Sequence, residues 1–209
     1  MKKKPVLFLD FDDLKFGTLD AHVRYVDRTY GIVTDPADYA NNPPLGSSIN
    51  KHLPADRHIT DADAYRHLTE NFHTSIEWHA DVRPMAGMPE AVIRLARRYD
   101  LWIVTARPKH ASTVVDHLLE KYVPGCIAGI HYVWEYSGNG IFKEVAKKHE
   151  FIRDFKGDKV AFIDDSPKEI LRTQEVIASY LFDETGRHDS LSDIRLRVRS
   201  WREITELFL

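Results

Sequence analysis

The sequence predicts an α/β fold: a doubly wound parallel sheet with a mainly helical segment inserted after its first strand. Three observations carry this prediction. Short apolar runs at residues 6–9, 101–104 and 160–163 have the composition of strands buried on both faces. From about residue 84 such runs alternate with amphipathic helical patterns, the order expected of a parallel sheet covered on both sides. Between residues 17 and 83 the alternation stops. The expected organisation is therefore a core of residues 1–16 and 84–209 and a helical cap of residues 17–83.

Val6, Leu7, Phe8 and Leu9 form the first strand, which ends abruptly at Asp10, Asp12 and Asp13. A helix follows, with Val23, Val26 and Tyr30 at three-to-four spacing and Gly31 at its C-terminal stop. Residues 34–60 are rich in Pro, Asn, Asp, Ser and Gly and read as loop with short helical pieces. Thr60 opens a second helix whose Tyr65, Leu68, Phe72 and Ile76 share one face. After a turn at residues 83–89 come a helix at 90–98, closed by Asp100, and a strand at 101–104 that ends in Thr105-Ala106-Arg107-Pro108. A helix at 109–121 and a strand at 127–134 continue the alternation. Residues 136–140 read as a loop, and 142–155 as a helix carrying Lys143, Lys147 and Lys148. The strand at 160–163 ends in Asp164-Asp165-Ser166-Pro167, ahead of a helix at 168–173. A strand at 178–182 and a closing helix at 201–208 complete the chain.

Composition narrows the function. Of 209 residues, 43% are hydrophobic and 11% aromatic, enough to bury a substantial core. A net charge of −3 gives no reason to expect a nucleic-acid polymer or a membrane surface as partner. Cys126 is the single cysteine, so neither an internal disulfide nor a thiolate zinc site can form, and a cytoplasmic setting is expected. The opening Met-Lys-Lys-Lys and the few apolar residues before Asp10 do not make a secretory signal.

Function is expected at the carboxyl ends of the strands, where open α/β sheets place their sites. Asp10 and Asp12 stand two apart, so on an extended chain both side chains leave one side. Crowded carboxylates repel unless a cation or a shared proton relieves them. Joined by Asp164 and Asp165 they would offer an oxygen-rich site that suits magnesium. Thr105 and the amides after it suit a phosphate oxygen, with Ala106 and Arg107 beside it, and Lys143 can supply a fixed positive charge. In that setting Asp10 can attack phosphorus, while Asp12 donates a proton to the leaving oxygen and later activates water.

These four segments, D-F-D-D-L at 10–14, I-V-T-A-R at 103–107, Lys143 in I-F-K-E-V and F-I-D-D-S-P at 162–167, resemble the haloacid dehalogenase (HAD) superfamily of phosphatases. The resemblance spans the chain, with residues 17–83 where that superfamily inserts its first cap on a Rossmannoid core. It implies that Asp10 is the nucleophile, Asp12 the acid/base, and Thr105 and Lys143 the phosphate binders. It further implies that Asp10, the Asp12 carbonyl and Asp164 hold Mg2+, with Asp165 acting through water. Within the superfamily the pattern is most similar to the 5′(3′)-deoxyribonucleotidase-like branch, through T-A-R, I-D-D-S-P and the ending R-V-R-S-W-R-E-I. Leu14 and the run D-D-L-K-F-G-T depart from the usual D-G-T spacing and bear on how substrate is seated.

The expected function is a magnesium-dependent phosphomonoesterase for a small phosphorylated substrate, with nucleoside monophosphates as candidates. A receiver-type phosphoacceptor domain would gather similar groups, but it needs a far shorter chain and an adjacent pair of acids. A non-catalytic relative would not need both Asp10 and Asp12. Of the eleven histidines, His67, His73 and His79 lack the spacing of a zinc site and read as surface or packing residues. Tyr39, Phe72 and Trp78 read as cap core rather than as a base-stacking platform.

Overall fold

The computed structural model describes residues 3–39, 43–137 and 141–209. Seven strands form one sheet in the order β4-β3-β2-β1-β5-β6-β7. They are β1 (Val6–Leu9), β2 (Asp100–Pro108), β3 (Ile127–Tyr136), β4 (Phe142–Glu144), β5 (Lys159–Asp164), β6 (Ser179–Phe182) and β7 (Arg197–Val198). Every neighbouring pair is parallel except β3 and β4.

The central strand β1 is buried on both faces because its side chains alternate between two cores. Leu7 and Leu9 pack in one, with α4 (Met88–Leu95), α5 (Ser112–Tyr122) and α8 (Trp201–Phe208); Val6 and Phe8 pack in the other, with α6 (Lys148–Asp154) and α7 (Pro167–Thr173). Each such side chain contributes about 1.5–3 kcal/mol by leaving water, which makes β1 a rigid support for the acids at its carboxyl end. Between β1 and α4 the chain is helical: α1 (Leu19–Tyr30), α2 (Leu45–Asn50) and α3 (Asp61–His67), joined by short 3₁₀ and π turns. Gly31 ends α1 in the left-handed region at φ 67°, with its N–H on the Asp27 carbonyl.

The departures from the sequence reading have local causes. The pattern at 60–76 does not make one helix: α3 stops at His67 and a π turn, Leu68–Phe72, follows. In α3 the buried face runs through Ala64 to Leu68, which leaves Tyr65 exposed. Beyond it the extra residue per turn shifts the face, so Phe72 is buried while Ile76 lies exposed. The predicted helix at 142–155 is a strand followed by a shorter helix. Phe142–Glu144 pairs back on β3 as an antiparallel edge, with Phe142 against Tyr136, and the helix starts only at Lys148. The predicted loop at 136–140 lies partly outside the described residues. Asp100, expected to close a helix, instead begins β2, which runs on through Thr105 and Arg107. β7 had no sequence signal, while α2 is one of the short helical pieces expected within residues 34–60. No helix among the described residues is long and apolar enough to cross a membrane.

Candidate active site

Register brings the acids together. Leu9 of β1 is level with Ile163 of β5, so the next residues, Asp10 and Asp164, stand side by side at the carboxyl edge. The Asp10 N–H donates to the Ile163 carbonyl at 2.9 Å and fixes this alignment. Oxygen atoms of Asp10, Asp164 and Asp165 lie within 4.8 Å of one another. A donor set of carboxylate oxygens alone fits a hard divalent cation such as magnesium.

Between Asp10 and Asp164 lies an ammonium group. Lys148, the first residue of α6, donates to Asp10 Oδ1 and to Asp164 Oδ2, each at 2.7 Å. All three side chains are buried. The second Asp164 oxygen accepts from the Ser166 N–H at 2.8 Å. A second buried lysine, Lys15, donates to the Asp10 backbone carbonyl. Burial pushes the Asp10 carboxyl up to about 7, against the pull of Lys148. Burial likewise raises Asp165, with Asp164 and Asp10 adding repulsion. An added divalent charge would reverse both shifts.

The loop after β1 is tightly bound down. Asp13 adopts φ 45°, the left-handed region, while its N–H donates to the Phe16 carbonyl at 2.9 Å. Leu14, the departure from the usual pattern, is fully buried, and its carbonyl accepts from Trp201 Nε1 at 2.9 Å. The closing helix thereby locks the loop beneath the site. The Asp12 carbonyl accepts from the Leu14 N–H at 2.5 Å.

Asp12 is held by its own partners. Arg107 Nη2 donates to Asp12 Oδ1 at 2.8 Å, Arg107 Nε to Oδ2 at 2.9 Å, and the Thr18 hydroxyl to Oδ1 at 2.8 Å. Although burial opposes it, the Arg107 charge and these hydrogen bonds hold the Asp12 carboxyl well below the usual range. Arg107 is itself buried, over the Phe11 ring at 5.2 Å. Its guanidinium also meets His79 Nε2, at 3.3 Å from Nη1 and 3.4 Å from Nη2. The Thr105 hydroxyl accepts from the Arg107 N–H at 3.1 Å.

A cleft of about 810 Å³ opens over Asp12, Asp13, Asp165 and Arg107 on the sheet side, with His22, Tyr39 and Tyr65 among the residues opposite. Asp10, Asp164, Lys148 and Thr105 lie buried behind that floor. The structure therefore gathers Asp10, Asp12, Thr105, Ala106, Arg107, Asp164 and Asp165 at one edge. Lys143 is not among them. It sits exposed on β4, paired in register with Glu135, and Lys148 stands at the acids instead. Three lysines share that run, and the β3–β4 pairing decides which one opens the helix. Asp165, expected to act through water, stands within ligand reach beside Asp10 and Asp164. The Asp12 carboxylate is engaged by Arg107, and its carbonyl, the expected ligand atom, accepts from the Leu14 N–H. Sequence reasoning also missed Lys15 and His79, for which only burial could have spoken.

Comparison with solved structures identifies the architecture. The chain superimposes over its whole length on a haloacid dehalogenase-like hydrolase from Streptococcus pneumoniae, with a TM-score of 0.67, 15% identity and 100% of both chains covered. This is the haloacid dehalogenase fold. The HAD hydrolase YfnB of Bacillus subtilis, solved bound to magnesium, matches with a TM-score of 0.61, 14% identity and 99% of each chain. CbbY of Rhodobacter sphaeroides, solved with phosphate, matches at 0.60, 16% and 96% of each chain. No protein-family model matches the chain, and no curated protein matches it. At these identities the likeness establishes the HAD fold alone.

Proposed function

We propose that the chain is a HAD-type phosphomonoester hydrolase that works through an aspartyl-phosphate on Asp10. The observation that carries this reading is the placement of Asp10, level with Asp164 at the sheet edge and bonded to a buried Lys148. An isolated buried carboxylate of this kind would be costly. Set between a lysine and a cation-binding cluster, it becomes an activated nucleophile. Asp10, Asp164 and Asp165 would hold the cation, which when bound neutralises charge on the transferring phosphoryl group.

Asp10 Oδ attacks phosphorus, and a phosphoryl–aspartate bond replaces the phosphoester bond. The ester oxygen leaves and takes its proton from solvent water rather than, as expected from the sequence, from Asp12, which Arg107 holds ionised. Lys148 and the Thr105 hydroxyl stabilise charge on the phosphoryl oxygens. Asp12, held ionised by Arg107, accepts a proton from the water that hydrolyses the aspartyl-phosphate. Residues 17–83 serve as the cap, supplying the far wall of the cleft. Full-length likeness to the hydrolases supports this reading over a receiver-type domain. The nucleoside monophosphate reading draws support from the rings of Tyr39 and Tyr65 on the cleft wall, and a cytoplasmic setting goes with the single cysteine.

The test is phosphate release from a generic aryl phosphate with magnesium, then from nucleotides, sugar phosphates and phosphoamino acids. Activity that requires magnesium and disappears in Asp10→Asn supports the proposal. Unchanged turnover in Asp10→Asn removes it.

A further inference from the structure

Asp12 has a path of bonds leading into the helical segment after β1. His79 lies in a 3₁₀ turn of that segment, fully buried, with Phe72 packed on its ring at a centroid distance of 4.5 Å. Its Nδ1 is 2.8 Å from the Ser75 carbonyl. A carbonyl can only accept, so Nδ1 carries the hydrogen, and in the neutral ring Nε2 is left as an acceptor. That acceptor faces both terminal nitrogens of Arg107, whose Nε and Nη2 in turn grip Asp12. The bonds thus run from the Ser75 carbonyl through His79 and Arg107 to Asp12.

From this geometry we infer that His79 is a positioning residue, fixing Arg107 in the orientation that aims the Asp12 carboxylate into the cleft. The guanidinium is a flat fork, and two bonds to Asp12 alone leave it free to tilt about them. A third partner on the opposite edge removes that freedom. Phe11 beneath the guanidinium and Phe72 against the imidazole close off the other directions. Because His79 and Arg107 lie on different segments, the contact also ties the wall of the cleft to its floor. The functional side of this inference rests on the hydrolase reading.

Two substitutions separate the acceptor from the ring. His79→Phe keeps the packing volume but offers Arg107 no acceptor; His79→Gln places an amide oxygen near the position of Nε2. In the aryl phosphate assay His79→Phe is expected to lower kcat by about 10- to 100-fold, as misplacement of a reacting group by about 1 Å does. KM should stay within about threefold, and His79→Gln should recover most of the loss. Equal losses in the two variants, or a loss confined to KM, would overturn the inference. Crystal structures of the same variants give a reading that needs no turnover. Arg107 displaced from Asp12 in His79→Phe and returned in His79→Gln supports positioning, while an intact fork in His79→Phe overturns it. A wild-type protein that hydrolyses nothing would remove the hydrolase reading and leave the crystallographic arm decisive. Should Phe at 79 prevent folding, His79→Asn carries the same test, since its shorter amide reaches Ser75 and not Arg107.

Discussion

Lys148 Nζ lies 2.7 Å from Asp10 Oδ1, although 138 positions separate the two residues in the chain. The contact joins the N-terminus of α6 to the end of β1, and the same ammonium reaches Asp164 on β5. One buried cation therefore stitches together the two strands whose ends define the site.

Removing it should have two consequences. Lys148→Met leaves Asp10 and Asp164 facing each other without the ammonium between them, and breaking such a buried pair costs about 3–5 kcal/mol. Loss of charge stabilisation on the phosphoryl group should lower kcat by about 10²–10³. Lys143→Met, on the exposed edge strand, should change stability by less than about 0.5 kcal/mol and leave turnover intact. Urea denaturation and initial rates on both variants check this; equal effects would contradict the assignment.

Asp12→Asn should separate the two halves of the reaction. An aryl leaving group departs without a proton, so attack by Asp10 continues, while water attack on the aspartyl-phosphate stalls. Rapid mixing should show a burst of about one aryl alcohol per enzyme, with a steady state lowered by about 10²–10⁴. Loss of the burst itself would mean that Asp12 is needed for the first step.

Cation removal should act on rate and stability together. Chelation is expected to abolish turnover, and magnesium to restore it. A cation that binds only the folded state at about 100 times its Kd adds about 2.7 kcal/mol, so Tm should rise on its addition. Asp164→Asn should remove most of that rise. A Tm indifferent to magnesium would argue against the Asp10, Asp164 and Asp165 cluster as the cation site.

Acid stability should carry the signature of His79, whose pKa is lowered from 6.5 to about 4 by burial and then by Arg107. The unfolded chain takes up a proton near pH 6.5, and the folded chain only near pH 4, so folding stability falls as pH drops through that window. At about 1.4 kcal/mol per pH unit the loss is roughly 3 kcal/mol. His79→Phe should remove that share of the slope in denaturation measured between pH 7 and pH 4, leaving the share set by the buried His22 and His73, which are lowered in the same direction. A profile as steep as that of the wild type would place the titrating group elsewhere.

The legible parts of this protein were those where one signal had one meaning. An apolar run that stops at acids marked β1 and β5, and parallel pairing then forced Asp10 and Asp164 level. Thr105 and Arg107 followed from the end of β2. Lys148 was hidden among Lys143 and Lys147, since which of them faces inward depends on where the helix starts, and the short strand β4 moves that start. Ile76 reads as core because helical periodicity assumes 3.6 residues per turn, which the π turn breaks, and Tyr65 because it sits next to Ala64, the residue through which the buried face of α3 in fact runs. His79 was invisible because its partner lies on β2; nothing local distinguishes it from a packing histidine.

The central claim is a covalent bond between phosphorus and Asp10. Acid quench of the enzyme during turnover of an aryl phosphate, followed by mass spectrometry of its peptides, reads this directly. The added mass of one phosphoryl group is expected on the peptide that contains Asp10, and should be absent in Asp10→Asn. Phosphate released at the normal rate with no such adduct on any peptide, in the wild type and in Asp12→Asn alike, would contradict it.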